Sequence, residues 1–373
     1  MRTNKKNSFR LDYVLLSVTL FLTAAGLILV FSSSAAESIK YGNPFYYLSR
    51  QLIFTVIGLA ALTIASLVDF NIYKKWAGTI LAGSVLSLLL LFIPFLGKSV
   101  GGAVRWIDLG FVQFQPSEFV KFALVVYLAS ALSNKAEKIK QLIKGLAPLL
   151  AVVLAVCFLI MNQPDLGSVL VIYGTAVTMF FLAGASLLHL GVLAGLSVAA
   201  ILALSILEPY RMARILAYLN PWSDPKGIGY HIIQSLIAVG SGGIFGMGIG
   251  LSRQKFFYIP QPHTDFIFAV VCEETGLIGA AVLIAAFLFL VFWCFRIGVQ
   301  CKDRYGYLLA CGFAVSICLQ VAINMGVVIG LVPTTGIPLP FISYGGTSLV
   351  LTLFSVGVVM NISSKSSQNR ENI

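Results

Sequence analysis

The chain has 373 residues, of which 58% are hydrophobic and only 10% charged, and its mean hydropathy is +0.94. Soluble domains carry about 25% charged residues, so this composition excludes a soluble globular protein and points to a membrane body. The formal net charge of +11 fits either basic loops beside anionic lipid or a nucleic-acid partner, and position along the chain decides between them.

Runs of roughly 20 apolar residues, the length that crosses ~30 Å of hydrocarbon, recur throughout. Ten spans are expected, at about 12–32, 49–68, 76–96, 116–133, 146–162, 168–184, 187–207, 273–295, 307–330 and 347–362. The alternating ~10-residue pattern of a spanning barrel is absent. The predicted fold class is therefore all-α: one polytopic membrane domain over 1–373, with a long extracytoplasmic segment at 208–272 between spans 7 and 8. Tyr13 to Phe31 is long for a signal sequence and lacks a clear cleavage site, so it reads as a retained span. Fifteen of the 25 Lys and Arg residues fall in the N-terminus, in alternate loops and in the tail. That places both termini in the cytoplasm and accounts for the charge without nucleic acid. The six cysteines show no metal-type spacing and no disulfide framework.

The 208–272 segment opens with an amphipathic stretch, Glu208 to Leu219. Met212, Ile215, Leu216 and Leu219 form an apolar stripe, while Arg211 and Arg214 stand one turn apart on another face; such a helix lies in the membrane interface. Asn220 to Pro225 is a turn, and Ile228 to Ile237 is helical again. Gly240 to Gly250 is glycine-rich, but no strand precedes it, so close backbone packing is favoured over phosphate cradling.

Tyr258 to Phe268 follows, with Arg253 and Lys255 just upstream. Pro260 and Pro262 hold the backbone extended, and His263-Thr264-Asp265 then meets a wall of aromatics at the mouth of an apolar run. A carboxylate there is costly. Thr264 or Asp265 is expected to cap a helix starting at Phe266, with Glu273 and Glu274 beyond. Capping leaves the prolines, the histidine and the upstream cations unexplained.

Other polar residues stand where they are expensive. Arg105, Trp106 and Asp108 are expected in the loop after the third span, and Pro116 or Ser117 starts the fourth. Glu118 and Lys121 lie i, i+3 on one helical face, where a structural pair and a functional pair are equally good readings. Gln163-Pro164-Asp165 ends the fifth span, with Asp165 expected to cap the sixth. The 332–348 loop is dense in hydroxyls, Pro and Gly, and irregular backbone at membrane depth is buried in protein or lines a cavity. The expected topology puts all these charges on the outer face. Carboxylates with Arg and Lys suit an amphiphilic substrate bearing anionic groups: Arg binds phosphate through its planar fork, and a carboxylate acts as base or holds a metal. No His/Cys cluster suggests zinc and no Walker lysine suggests nucleotide hydrolysis.

Arg105-Trp106, Gln115-Pro116-Ser117-Glu118, Gln163-Pro164-Asp165-Leu166-Gly167, Pro262-His263-Thr264-Asp265-Phe266-Ile267-Phe268, Glu273-Glu274-Thr275-Gly276 and the string from Pro333 to Gly346 resemble, in order, the SEDS family (shape, elongation, division and sporulation), whose members include FtsW, RodA and SpoVE. The resemblance implies ten transmembrane helices and a peptidoglycan glycosyltransferase of the bacterial cytoplasmic membrane. It would polymerise lipid II on the outer face and release undecaprenyl pyrophosphate, beside a class B penicillin-binding protein. The family's catalytic aspartate falls on Asp265 and its polar cavity residues on Glu118, Lys121 and Asp165. Arg105, Arg211, Arg214, Arg253, Lys255, His263 and Thr264 complete the expected substrate-binding set. No cofactor is required by these residues, and a divalent cation stays open. Gln261 and His231 depart from residues common in the family. The alternative is a flippase of a lipid-linked precursor, against which stand the absence of an inverted repeat and the one-sided charges.

Overall fold

The computed structural model describes residues 11–371 apart from 94, 95, 101, 102, 109, 111, 112, 135, 136, 138, 208, 257 and 260, and for 98–100, 103, 198, 200–211 and 368–371 the backbone alone. Lys135, Lys138, Pro260 and the side chain of Arg211 thus lie outside the described residues, as do the N-terminal cations. Helices occupy all ten expected positions: α1 (Tyr13–Ser38), α2 (Tyr46–Leu67), α3 (Phe70–Leu90), α4 (Pro116–Asn134), α5 (Ala147–Met161), α6 (Leu166–Leu182), α7 (Leu187–Leu207), α10 (Ile267–Gln300), α11 (Arg304–Val328) and α12 (Gly346–Glu371). Among the described residues seven, all but α3, α6 and α7, are long and apolar enough to cross a membrane, α5 together with the helical turn Leu142–Leu146 that leads into it. Between α7 and α10 lie α8 (Pro209–Leu219) and α9 (Tyr230–Ser241), where the amphipathic pattern places them.

Burial separates centre from periphery. In α4 and α11, 78% and 72% of the most apolar window is buried, against 28% in α2. The central pair is therefore enclosed by protein, while α2 turns Ile53, Val56 and Ile64 outward, as a lipid-facing helix does. Small residues let backbones touch: a Cβ on Gly357 of α12 would lie 2.3 Å from Leu62 O of α2, the close approach that holds membrane helices together. All six cysteines are free.

Two expectations need correction. The stretch after α3 is not simple loop: β1 (Gly97–Val100), β2 (Ala103–Asp108) and β3 (Gln113–Phe114) form an antiparallel sheet in that order, with Ile107 opposite both Gly97 and Phe114. The eighth span begins six residues early, at Ile267, and breaks at Gly276, whose φ of 65° and ψ of −164° are not helical.

Candidate active site

The break in α10 is built by the glycine-rich loop. Met247 N and Gly248 N donate to Glu273 O and Glu274 O at 2.9 and 3.0 Å, and Leu277 N and Ile278 N donate to Gly243 O and Ile244 O. The loop replaces the intrahelical bonds that Gly276 interrupts. A Cβ on Gly276 would meet Gly246 N at 2.4 Å, so only glycine fits this contact. Close backbone packing is thus what the glycines serve.

Glu273 and Glu274 then secure the 252–255 turn. Glu273 accepts from Ser252 Oγ at 2.5 Å and from Arg253 N at 2.9 Å. Glu274 pairs with Lys255 Nζ at 2.8 Å, both side chains buried, and Ser32 Oγ of α1 donates to it at 2.6 Å. These acids are anchors rather than a helix's acidic first turn. Lys255 is consumed in this lattice, and Arg253 is exposed beside it.

Asp265 is placed differently. The helix cap expected of it or of Thr264 is not there: Phe266 occupies the N-cap without a side-chain bond, and Thr264 Oγ1 turns back to Gln261 O at 3.1 Å. The backbone of 263–265 is instead clamped from afar. Tyr344 N donates to His263 O at 2.8 Å, Ser343 Oγ to Thr264 O at 2.6 Å, and Asn324 Nδ2 to Asp265 O at 2.9 Å and Ile337 O at 2.7 Å. With its main chain held, the Asp265 carboxylate receives no hydrogen bond from any described residue. It lines a cavity of about 140 Å³ with Arg214, His231, Asn324, Thr334, Thr335 and Gly336 among its walls.

Among the described residues Arg105, His263 and Arg214 stand around that carboxylate. A methyl on Gly336 would stand 3.5 Å from Asp265 Oδ2 and 3.9 Å from Arg105 Nη1, so the two groups flank one glycine. Arg105 is carried by β2 and donates to the carbonyls of Gln163 (3.1 Å) and Pro164. Arg214 of α8 donates to Thr334 O at 2.7 Å. Burial pushes the Asp265 carboxyl up to about 6, against the opposing pull of Arg105, with the nearby Asp165 raising it further and His263 and Arg214 lowering it. Burial, then Arg214, keeps His231 below the usual imidazole range.

The remaining expected residues lie around this cavity or apart from it. Asp165 caps α6 as predicted, accepting from Ser168 N at 3.1 Å and Ser168 Oγ at 2.8 Å. His263 is buried with Nδ1 3.2 Å from Glu37 Oε2 and its ring 4.3 Å from that of Tyr47. Glu118 and Lys121 do pair, at 2.8 Å, and Lys121 also donates to Gln320 Oε1 at 2.6 Å. They line a separate small cavity between α4, α11 and α12. Sequence reasoning missed Asn324, Gln320, Thr335 and Glu37; Asn324 and Gln320, amides one turn apart in an apolar run, were the available signal. Among the described residues no His/Cys/Asp/Glu group has metal-site geometry.

A family model described as "Cell cycle protein", of the FtsW, RodA and SpoVE type, matches residues 13–368. The chain belongs to the FtsW/RodA/SpoVE family. It is 44% identical over 362 residues to "Stage V sporulation protein E" of Bacillus subtilis, covering 97% of this chain and 98% of that one. It is 42% identical to "Probable peptidoglycan glycosyltransferase FtsW" of Geobacter metallireducens, covering 98% and 97%. A solved chain from a peptidoglycan synthase complex that coordinates polymerization and crosslinking superposes with a TM-score of 0.78 at 32% identity, covering 96% of this chain and 99% of that one. RodA of Thermus thermophilus superposes with 0.71 at 28%, covering 96% and 98%. In this member of the FtsW/RodA/SpoVE family the resemblance strings converge in space: Asp265, the Pro333–Gly346 loop, Arg105 and Asp165 come from four separate stretches.

Proposed function

We propose that this protein, a peptidoglycan glycosyltransferase of cell-wall synthesis by its family, polymerises lipid II with Asp265 as general base. The reading rests on one observation above the others: a carboxylate on a clamped backbone that receives no hydrogen bond from any described residue and stands near the guanidinium groups of Arg105 and Arg214. Glycan extension joins the 4-hydroxyl of an incoming lipid II to the anomeric carbon of the growing chain. Asp265 takes the hydroxyl proton as the new bond forms, and the bond to the lipid pyrophosphate breaks. A positioned base contributes roughly 10²–10⁴-fold to such a step. Arg105 and Arg214 meet the charge that develops on the leaving pyrophosphate, the electrostatic role in which fixed cations are most effective. Single displacement inverts the anomeric centre, from an α-linked donor to a β-linked strand.

The same reading puts the cavity on the outer face, with ten helices crossing the membrane, both termini cytoplasmic and undecaprenyl pyrophosphate released. A bitopic class B penicillin-binding protein is the crosslinking partner, in keeping with the synthase complex that the fold matches. The Lys255–Glu274 pair removes Lys255 from the pyrophosphate-binding set of this proposal; Arg253 stays a surface cation.

Purified Asp265→Asn supplied with lipid II in detergent is the test. The variant is expected to fold and make no glycan strands; polymerisation within a few-fold of the unmodified protein sinks the proposal. For orientation, single cysteines at 140 and 224 in intact cells, on a background lacking accessible native ones, are expected to be shielded from and labelled by an impermeant reagent, respectively. The opposite pattern overturns the placement of the site.

A further inference from the structure

One wall of the Asp265 cavity carries a titratable side chain that the proposed mechanism leaves unused. His231 stands in the first turn of α9 and lines the cavity together with Arg214 of α8. The residue is exposed, and two observations put the imidazole itself among the groups of the wall. Its ring stacks on that of Phe266, another wall residue, at 6.1 Å and 10°. It also feels the charge of the Arg214 guanidinium. Partial desolvation against the wall, then Arg214, holds the imidazole below its usual range, and the positive end of α9 acts in the same direction. At pH 7 the ring is therefore mostly neutral.

The groups around it are these. Arg214 faces it from α8, Tyr230 from its own helix with the rings 6.2 Å apart, and Asp265 shares the cavity. Asp224, in the turn before α9, accepts from Gly227 N and Ile228 N. α11 contributes Asn324 and Val327 to the wall, and the 332–348 loop contributes Thr334 and Thr335, none of which titrates. Arg214 bears on both His231 and Asp265, and so links the imidazole to the base.

An anion that reaches Arg214 cancels the repulsion that keeps the ring neutral and draws a proton onto it. Resting on the reading of this cavity as the glycosyl-transfer site, we propose that Arg214 and His231 form a pyrophosphate subsite in which His231 takes up a proton from solvent as the anion binds and returns it when the anion leaves. The extra cation then appears only with the charge it meets. A permanent cation there would depress the basicity of Asp265, as Arg105 and Arg214 already do. A conditional one favours the state in which pyrophosphate is departing.

The test is calorimetric and needs no turnover. Farnesyl pyrophosphate, a short polyprenyl pyrophosphate, is titrated into the purified protein in detergent at pH 7, in two buffers of different ionisation enthalpy; the difference in heat counts the protons taken up. The unmodified protein is expected to take up more protons than His231→Gln, a comparison that cancels the titration of the ligand itself. Between pH 8 and pH 6 its affinity should rise relative to that of His231→Gln, by at most about tenfold per pH unit for one linked proton. His231→Arg, a cation at every pH, is expected to bind with no more uptake than His231→Gln.

Farnesyl pyrophosphate that fails to bind the unmodified protein, or that binds it and His231→Gln with equal proton uptake, overturns the subsite. An affinity ratio that does not change with pH does the same. Displacement of farnesyl pyrophosphate by an equal concentration of phosphatidylglycerol would assign the pair to membrane headgroups and overturn it too. None of these outcomes bears on the base, which Asp265→Asn reads by turnover.

Discussion

The protein holds carboxylates in two neighbouring places and treats them in opposite ways. At Glu273 and Glu274 the carboxylates are saturated, by Ser252, two backbone amides, Lys255 and Ser32. Eight residues earlier in the chain than Glu273, Asp265 ends a backbone stretch, 263–265, that is pinned by Asn324 of α11 and by Ser343 and Tyr344 of one loop, and its carboxylate lines a cavity. The first arrangement holds a loop onto a broken helix. The second, in the proposed mechanism, leaves an acid without a hydrogen bond from the described residues at the place where the substrate binds. What distinguishes the anchoring acids from the proposed base is the tally of hydrogen bonds from the described residues, since Glu274 and Asp265 both stand beside cations.

That contrast is broken or sharpened by substitution. The largest effect is expected at the unsatisfied acid: Asp265→Asn lowers lipid II polymerisation at least 10²-fold while the protein stays at normal abundance. Because burial pushes this carboxyl up to about 6, its folded-state value exceeds the unfolded one. Its contribution to folding is therefore most favourable at acid pH and is lost as pH rises through about 6. Asp265→Asn is accordingly expected to melt at or above the unmodified protein at pH 7, read by thermal unfolding in detergent. A clear drop in melting temperature returns Asp265 to a structural role.

The satisfied acids predict the reverse. Lys255→Met leaves Glu274 buried without its cation, a loss of about 3–5 kcal/mol. Membrane abundance and melting temperature should fall, while the specific activity of the surviving protein stays within a few-fold. Normal abundance with abolished activity would return Lys255 to the substrate.

Two smaller effects follow. Activity needs ionised Asp265, so the acid limb of the kcat/KM profile should rise through pH about 6. Arg105 holds the value down, so Arg105→Gln should move that limb to higher pH; an unmoved limb separates Arg105 from the base. Smallest is the fold-level change. Gly276→Ala sets a Cβ against Gly246 N at a φ of 65°, and a loss on the order of 1–3 kcal/mol is expected. An unchanged melting temperature would show that the break in α10 relaxes freely.

Hydropathy alone determined the all-α membrane body and the ten helix positions, because an apolar run of sufficient length has one stable form in lipid. Residue type and spacing determined the cap at Asp165 and the Glu118–Lys121 pair, whose partners lie within one helical turn and are therefore local. The sheet around Arg105 escaped because Gly97 to Phe114 is short and broken by glycines at 97, 101, 102 and 110, so it carries no clean period. Tertiary structure decided what each acid does. Nothing near Asp265 in sequence reveals that it forgoes the helix cap, that Asn324 grips its carbonyl and Ser343 that of Thr264, or that Thr335 shares its cavity. Nothing near Lys255 reveals that Glu274 claims it. Hydrogen-bond satisfaction is a property of three-dimensional neighbours, here 19 to 79 residues apart along the chain, and a local pattern carries no record of it.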